Sequence, residues 1–162
     1  MELKKINMNP LQEPIKHLLE SKNYNEKIKP LLRLIVEDKM TSIERDKTLE
    51  RMGIRRISDI KEYTPDVVLD YIDYCLEDNA ISDEEFRNVK LLKIFLGISE
   101  GDFEKNNREK RMADIFSKQI ALVYKDKKVD YDEILHMESL QGLLGLSYNQ
   151  FEGIIQKITR GF

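Results

Sequence analysis

Laid over itself at an offset of 48 positions, the chain matches from residues 78 to 103 against 126 to 151 without a gap. Seven of the 26 pairs are identical: Asp78/Asp126, Glu85/Glu133, Leu92/Leu140, Leu96/Leu144, Gly97/Gly145, Ser99/Ser147 and Phe103/Phe151. Apolar pairs such as Ile81/Val129, Phe86/Ile134, Val89/Met137 and Ile98/Leu146 are conservative, and Ile72/Ile120 and Cys75/Val123 extend the register backwards. A self-similarity of this period is the mark of a duplicated supersecondary unit that buries its apolar face against its own copy. Each copy reads as a helix, a turn at Asp-x-x-(Ile/Val), a second helix, a stop at Gly97 or Gly145, and a new N-cap at Ser99 or Ser147.

The remaining chain has the same texture. Apolar residues recur at three- and four-residue spacing, and only 7 Gly and 4 Pro interrupt 162 residues. The fold class expected is therefore all-α, a compact helical bundle with an internal duplication. Helices are expected over about Leu11–Ser21, Glu26–Asp38 and Ser42–Met52, with Pro14 and Pro30 in first turns and Gly53 as a stop. Thr64-Pro65 reads as N-cap and first helical position of a helix running to about Glu77. One helix of about 25 residues, Glu100 to Lys125, is expected to join the copies. Its stretch Glu104 to Arg111 is too polar to bury and marks a solvated face or a local break. The organisation expected is a helical N-terminal extension over 1–64 and a duplicated domain over 65–162.

Charge and cysteine content narrow the function classes. With 27 Lys and Arg against 30 Asp and Glu, the chain lacks the single-sign field that non-specific nucleic-acid binding needs. Lone Cys75, which pairs with Val123 in the repeat, reads as a small buried apolar side chain. Basic residues near Met1 precede no apolar run, and no stretch is long and apolar enough to span a bilayer, so a cytoplasmic location without membrane partners is expected. His17 and His136 sit in no nucleophile or metal spacing, and no phosphate loop occurs; nothing points to an enzyme.

The duplicated turn carries the chemistry. Its Asp-x6-Glu spacing, with a β-branched residue four before the Glu, echoes the end of an EF-hand loop, with Asp78 and Asp126 at position five. Positions one and three would be Tyr74 and Leu76, or Leu122 and Tyr124, so neither loop is an ordinary calcium site. Ser82-x-x-Glu85 and Asp130-x-x-Glu133 also read as capping boxes. Both readings stand: glutamates that close helix caps, or, with Asp78 and Asp126, ligands of a divalent cation. Residues 70 to 85 hold seven acids, Asp70, Asp73, Glu77, Asp78, Asp83, Glu84 and Glu85, and no base. That density makes the first copy the candidate cation site, and Asp70, Asp73, Glu77, Asp78, Asp83 and Glu84 a partner-binding surface.

Two resemblances follow from these residues. The acidic turn, the following helix ending in Leu-Gly-(Ile/Leu)-Ser, and the tandem arrangement over about residues 65–158 resemble the TerB-like domains of the tellurite-resistance group. The resemblance implies an all-helical fold, an interaction role without catalysis, and acidic surfaces able to hold metal. The loop glycine of that pattern is Asn79 in one copy and Lys127 in the other, and lysine tolerates a left-handed backbone poorly. Upstream, Leu49 to Ile60 followed by Tyr63-Thr64-Pro65 looks like a helix-hairpin-helix unit of the kind found in DNA-repair proteins. In that reading Gly53, Arg55 and Arg56 face a phosphate, although residues 46 to 69 balance five bases with five acids.

The leading expectation is a non-enzymatic protein-interaction module, either a stress-response adaptor or an immunity-type inhibitor. The alternatives are a nucleic-acid-associated module and a divalent-metal-binding protein. The apolar C-terminal run, with Gly142 and Gly153 allowing close helix approach, also suits a homo-oligomer.

Overall fold

The computed structural model describes residues 9–77, 81–99, 101–123 and 131–159, without the side chains of 104, 123, 131–136, 155 and 157–159. Its α-helices are α1 (Gln12–Ser21), α2 (Lys29–Val36), α3 (Ser42–Arg51), α4 (Thr64–Cys75), α5 (Asp83–Phe95), α6 (Asp102–Lys105), α7 (Glu109–Val123), α8 (Tyr131–Leu144) and α9 (Tyr148–Thr159). A 3-10 turn, Ile57–Ile60, lies between α3 and α4, and no strand occurs among the described residues. The molecule is a compact all-α bundle.

Helix α4 sits at its centre, with Val67, Val68, Leu69, Tyr71, Ile72 and Cys75 all buried. It packs against α1, α5 and α7, while α8 rests on α5 and α7. One apolar cluster runs from Leu11 and Ile15 of α1 through Leu31 and Ile35 of α2 to Phe116 of α7 and Leu140 and Leu144 of α8. The Phe116 and Phe151 rings, 5.3 Å apart, tie α9 to α7.

The helix ends show why the sequence breaks where it does. α2 starts at Lys29, later than Glu26, because the Asn25 carboxamide accepts from the Lys27 amide at 2.9 Å and holds residues 26–28 in a turn. It stops before Asp38, whose φ of 60° lets Lys39 donate to the Leu34 carbonyl at 2.7 Å. Thr41 caps α3 through the Glu44 amide at 3.1 Å. Thr64 is not the N-cap of α4. Tyr63, already bonded to the Ile60 carbonyl, runs helically into the element, so Thr64 is its first residue and is fully buried.

The single helix expected over Glu100–Lys125 is broken into α6 and α7. Asn107 takes a φ of 61°, and the Arg108 amide closes back on the Phe103 carbonyl at 2.8 Å. Of the two readings of the polar stretch, the local break is the one that occurs. Nearby, burial alone would push Asp102 upward, but the Ser99 amide at 2.6 Å and the Lys61 ammonium at 3.0 Å outweigh it and hold this carboxyl below the usual range.

Gly97 and Gly145, 48 apart, both have φ of 69°. After each the chain closes a matching turn, Ile98 to the Lys93 carbonyl at 2.8 Å and Leu146 to the Gln141 carbonyl at 3.1 Å. At the same offset the end of α4 falls on the end of α7, and the start of α5 on the start of α8. Gly97 meets a second demand, because a Cβ there would lie 2.6 Å from Ile57 Cγ2.

Candidate functional site

On α4, Asp66, Asp70 and Asp73 fall at i, i+4 and i+7 and share one face. Across from them, Arg108, Arg111 and Lys118 repeat at three and seven residues on and before α7. Arg108 grips Asp66 with two bonds, Nε to Oδ1 at 2.6 Å and Nη2 to Oδ2 at 3.0 Å, and also donates to the Glu62 carbonyl. Arg111 lies between three carboxylates, donating to Asp70 and reaching Asp66 at 3.5 Å and Asp73 at 3.4 Å. Lys118 approaches Asp73 at 3.7 Å. From the loop before α2, the Tyr24 hydroxyl donates to Asp70 Oδ2 at 2.7 Å. Burial, and then the bonded carboxylate, push the Tyr24 phenol far up, so it stays a donor at every physiological pH.

This ladder corrects the expected partner surface. Asp70 is buried and Asp73 is half-buried, and both face cations supplied from about forty residues further along the chain. A buried carboxylate must be paired and hydrogen-bonded, and these are. The exposed acids of the predicted surface are Glu77, Asp83 and Glu84; Asp78 lies outside the described residues. Tyr24, Arg108 and Arg111 were missed in the sequence. A usable signal existed: acids at 66, 70 and 73 and bases at 108, 111 and 118, each in helical spacing and opposite in sign.

The candidate cation ligands are only partly placed. Asp126 also lies outside the described residues, as does the side chain of Glu133. Glu85 is in a capping box: its Oε1 accepts from the Ser82 amide at 3.0 Å, and its own amide donates to Ser82 Oγ at 3.2 Å. Behind it the Cys75 thiol is pushed up to about 12 by burial and by its bond to the Glu85 carboxylate. A thiol held that high is no nucleophile at neutral pH. Among the described residues no three His, Cys, Asp or Glu side chains converge as a metal cage.

The Gly53 segment has one helix fewer than the motif it resembles. Gly53 ends α3 at φ 74°, with the Ile54 amide on the Leu49 carbonyl at 2.9 Å. Beyond its own chain neighbours nothing lies within 4 Å of where its Cβ would stand, so the backbone turn alone requires glycine. The second element is the short 3-10 turn, closed by the Asp59 carboxylate on the Arg56 amide at 3.2 Å. Arg55 and Arg56 are exposed.

The fold and site define an all-helical protein with a central ionic ladder and an acidic edge at the start of α5. Comparison with known protein families, curated proteins and solved structures found no match for the chain. No helix among the described residues is long and apolar enough to cross a membrane.

Proposed function

We propose that this chain is a non-enzymatic protein-interaction module built on a duplicated helix-loop-helix unit, its contact surface the acidic edge of Glu77, Asp83 and Glu84. The observation that carries this reading is a contrast in use. Asp66, Asp70 and Asp73 are spent inside the fold, whereas Glu77 and Glu84 point to solvent beside the N-terminus of α5. Such an edge selects partners with a basic surface and speeds their encounter. A TerB-like adaptor and an immunity-type inhibitor would both use it in this way. The matching caps at Gly97 and Gly145 support the duplication.

The test is retention of cytosolic proteins on the immobilised chain, compared with Glu77→Lys/Glu84→Lys. Basic partners released by salt and lost in the double variant support the proposal. Identical retention by both proteins removes the acidic edge as the binding surface.

A second reading rests on Arg55 and Arg56, whose guanidinium groups are exposed beside the Gly53 turn. A nucleic-acid module would contact phosphate there. Arg55→Glu/Arg56→Glu should then weaken binding and flatten its salt dependence, and failure of the unmodified chain to shift duplex or single strand at low salt ends the idea.

A further inference from the structure

A groove of about 500 Å³ opens between the N-terminus of α3 and the C-terminal half of α5, at the other end of α5 from Asp83 and Glu84. Met40, Leu91, Ile94 and Phe95 supply its apolar wall, and Thr41 and Arg45 its polar one. Leu91 is 50% exposed and Ile94 71% exposed, two of the few large apolar side chains left in water. Bundle packing does not require them. The positions 48 further on in α8 are Ser139 and Gly142, equally exposed and polar or small. Single exposed apolar residues are ordinary, but two on one helix face lining a groove form an interaction patch.

The charge on the same helix says what covers it. Arg87, Lys90, Leu91 and Ile94 fall at i, i+3, i+4 and i+7, one exposed stripe with two cations on its N-terminal side and two apolar residues on its C-terminal side. Neither Arg87 nor Lys90 has an ion-pair partner among the described residues. Of the acids nearby, Asp83 and Glu84 lie one turn N-terminal to Arg87, on the side away from the groove, Asp46 is engaged by Arg45 at 3.1 Å, and Asp38 lines the groove. Arg45 is itself held by the Phe95 carbonyl at 3.0 Å, so the wall it forms is fixed in advance of binding.

We propose that this groove takes an amphipathic helix of another protein, its apolar side chains seated against Met40, Leu91 and Ile94 and its flanking Asp and Glu residues over Arg87 and Lys90. The volume accommodates two or three large side chains, the number that a helix presents at i, i+3 or i+4, and i+7. Acidic flanks complete the stripe where basic ones would be repelled.

The experiment titrates the isotope-labelled full chain with two synthetic peptides of one leucine pattern at i, i+3, i+4 and i+7, one filled out with Glu and one with Lys. The acidic peptide should bind and shift the amide signals of Thr41, Arg45, Leu91 and Ile94. Leu91→Gln/Ile94→Gln should weaken it by about tenfold or more, since anchors in a groove dominate such contacts. Arg87→Gln/Lys90→Gln should weaken it less and flatten its salt dependence. Equal or tighter binding of the lysine peptide, no binding of either, or affinity unchanged in both double variants overturns the proposal. So does a concentration-dependent dimer in sedimentation that Leu91→Gln/Ile94→Gln abolishes, because the occupant would then be a second copy. Should the double variant lower the melting temperature, Leu91→Gln alone carries the test. Charge reversal at Glu77, which precedes α5 and lies off this stripe, leaves this result untouched, so the two surfaces succeed or fail separately.

Discussion

Arg45 of α3 and Lys93 of α5 stand 48 residues apart, and each delivers its cation to a main-chain carbonyl 50 residues further on. Arg45 reaches Phe95 O at 3.0 Å and Lys93 reaches Leu143 O at 2.6 Å, so each capped carbonyl lies in the last turn of the second long helix further on, α5 and then α8. Helix C-termini carry partial negative charge and unpaired carbonyls, and a cation placed there answers both. Lys93→Met should therefore cost about 1–2 kcal/mol in urea denaturation. Lys90→Met, three positions before this contact and exposed, should stay within about 0.5 kcal/mol. Equal effects would mean that the contact contributes nothing.

The ladder beneath α7 should behave as a unit. Arg111→Met strands the buried Asp70 carboxylate, and because the guanidinium keeps 30% exposure the loss should be about 2–3 kcal/mol, less than for a fully enclosed pair. Asp70→Leu with Arg111→Met removes both charges and should recover much of that loss. A double-mutant cycle showing simple additivity would mean that the two groups do not interact.

Thr64 offers a gain in stability. It is fully buried and its hydroxyl has no hydrogen-bond partner among the described residues. Thr64→Val keeps the shape and removes the unmet hydroxyl, so it should stabilise by about 1 kcal/mol. Thr64→Ser keeps the hydroxyl, loses a methyl and should destabilise. A Thr64→Val chain that melts below the parent would show that the hydroxyl is satisfied in solution.

Gly53 and Gly97 should respond differently to alanine. Both have positive φ, which alone costs an L-residue about 1–2 kcal/mol. Gly97→Ala also drives a methyl into Ile57, so it should lose more than Gly53→Ala. Ile57→Ala in the Gly97→Ala background should restore part of the difference. Equal melting temperatures for the two alanine variants would deny the close approach.

At the start of α5, capping and metal ligation make opposite demands. Capping predicts that Ser82→Ala costs about 1 kcal/mol, that Glu85→Gln is tolerated because its amide oxygen still accepts, and that added calcium or manganese leaves the melting temperature unchanged. Ligation predicts a rise with metal that Asp78→Asn and Glu85→Gln each abolish. Changes at Asp126 and Glu133 should matter less, beside Lys127 and Lys128. The capping box already on Glu85 favours the first outcome.

Legible in the sequence were features set by near neighbours in the chain. Apolar spacing foretold the helices, Gly97 and Gly145 their stops, Ser82 and Glu85 their cap, and Cys75 its burial, because each depends on residues within a turn or two. Two boundaries escaped that logic. Thr64 lost its capping role to a 3-10 turn that feeds straight into α4, and Asn107 broke a helix by taking a left-handed backbone that glycine more often supplies. The larger difference concerns charge. Seven acids without a base made residues 70 to 85 read as open surface, yet Arg111 and Lys118 meet Asp70 and Asp73 across the packed helices. Local sequence determines how a side chain's backbone is shaped. Only tertiary packing decides which distant charge it faces, since two groups some forty residues apart become neighbours when their helices share a core, and at that range their interaction outweighs any average over the segment.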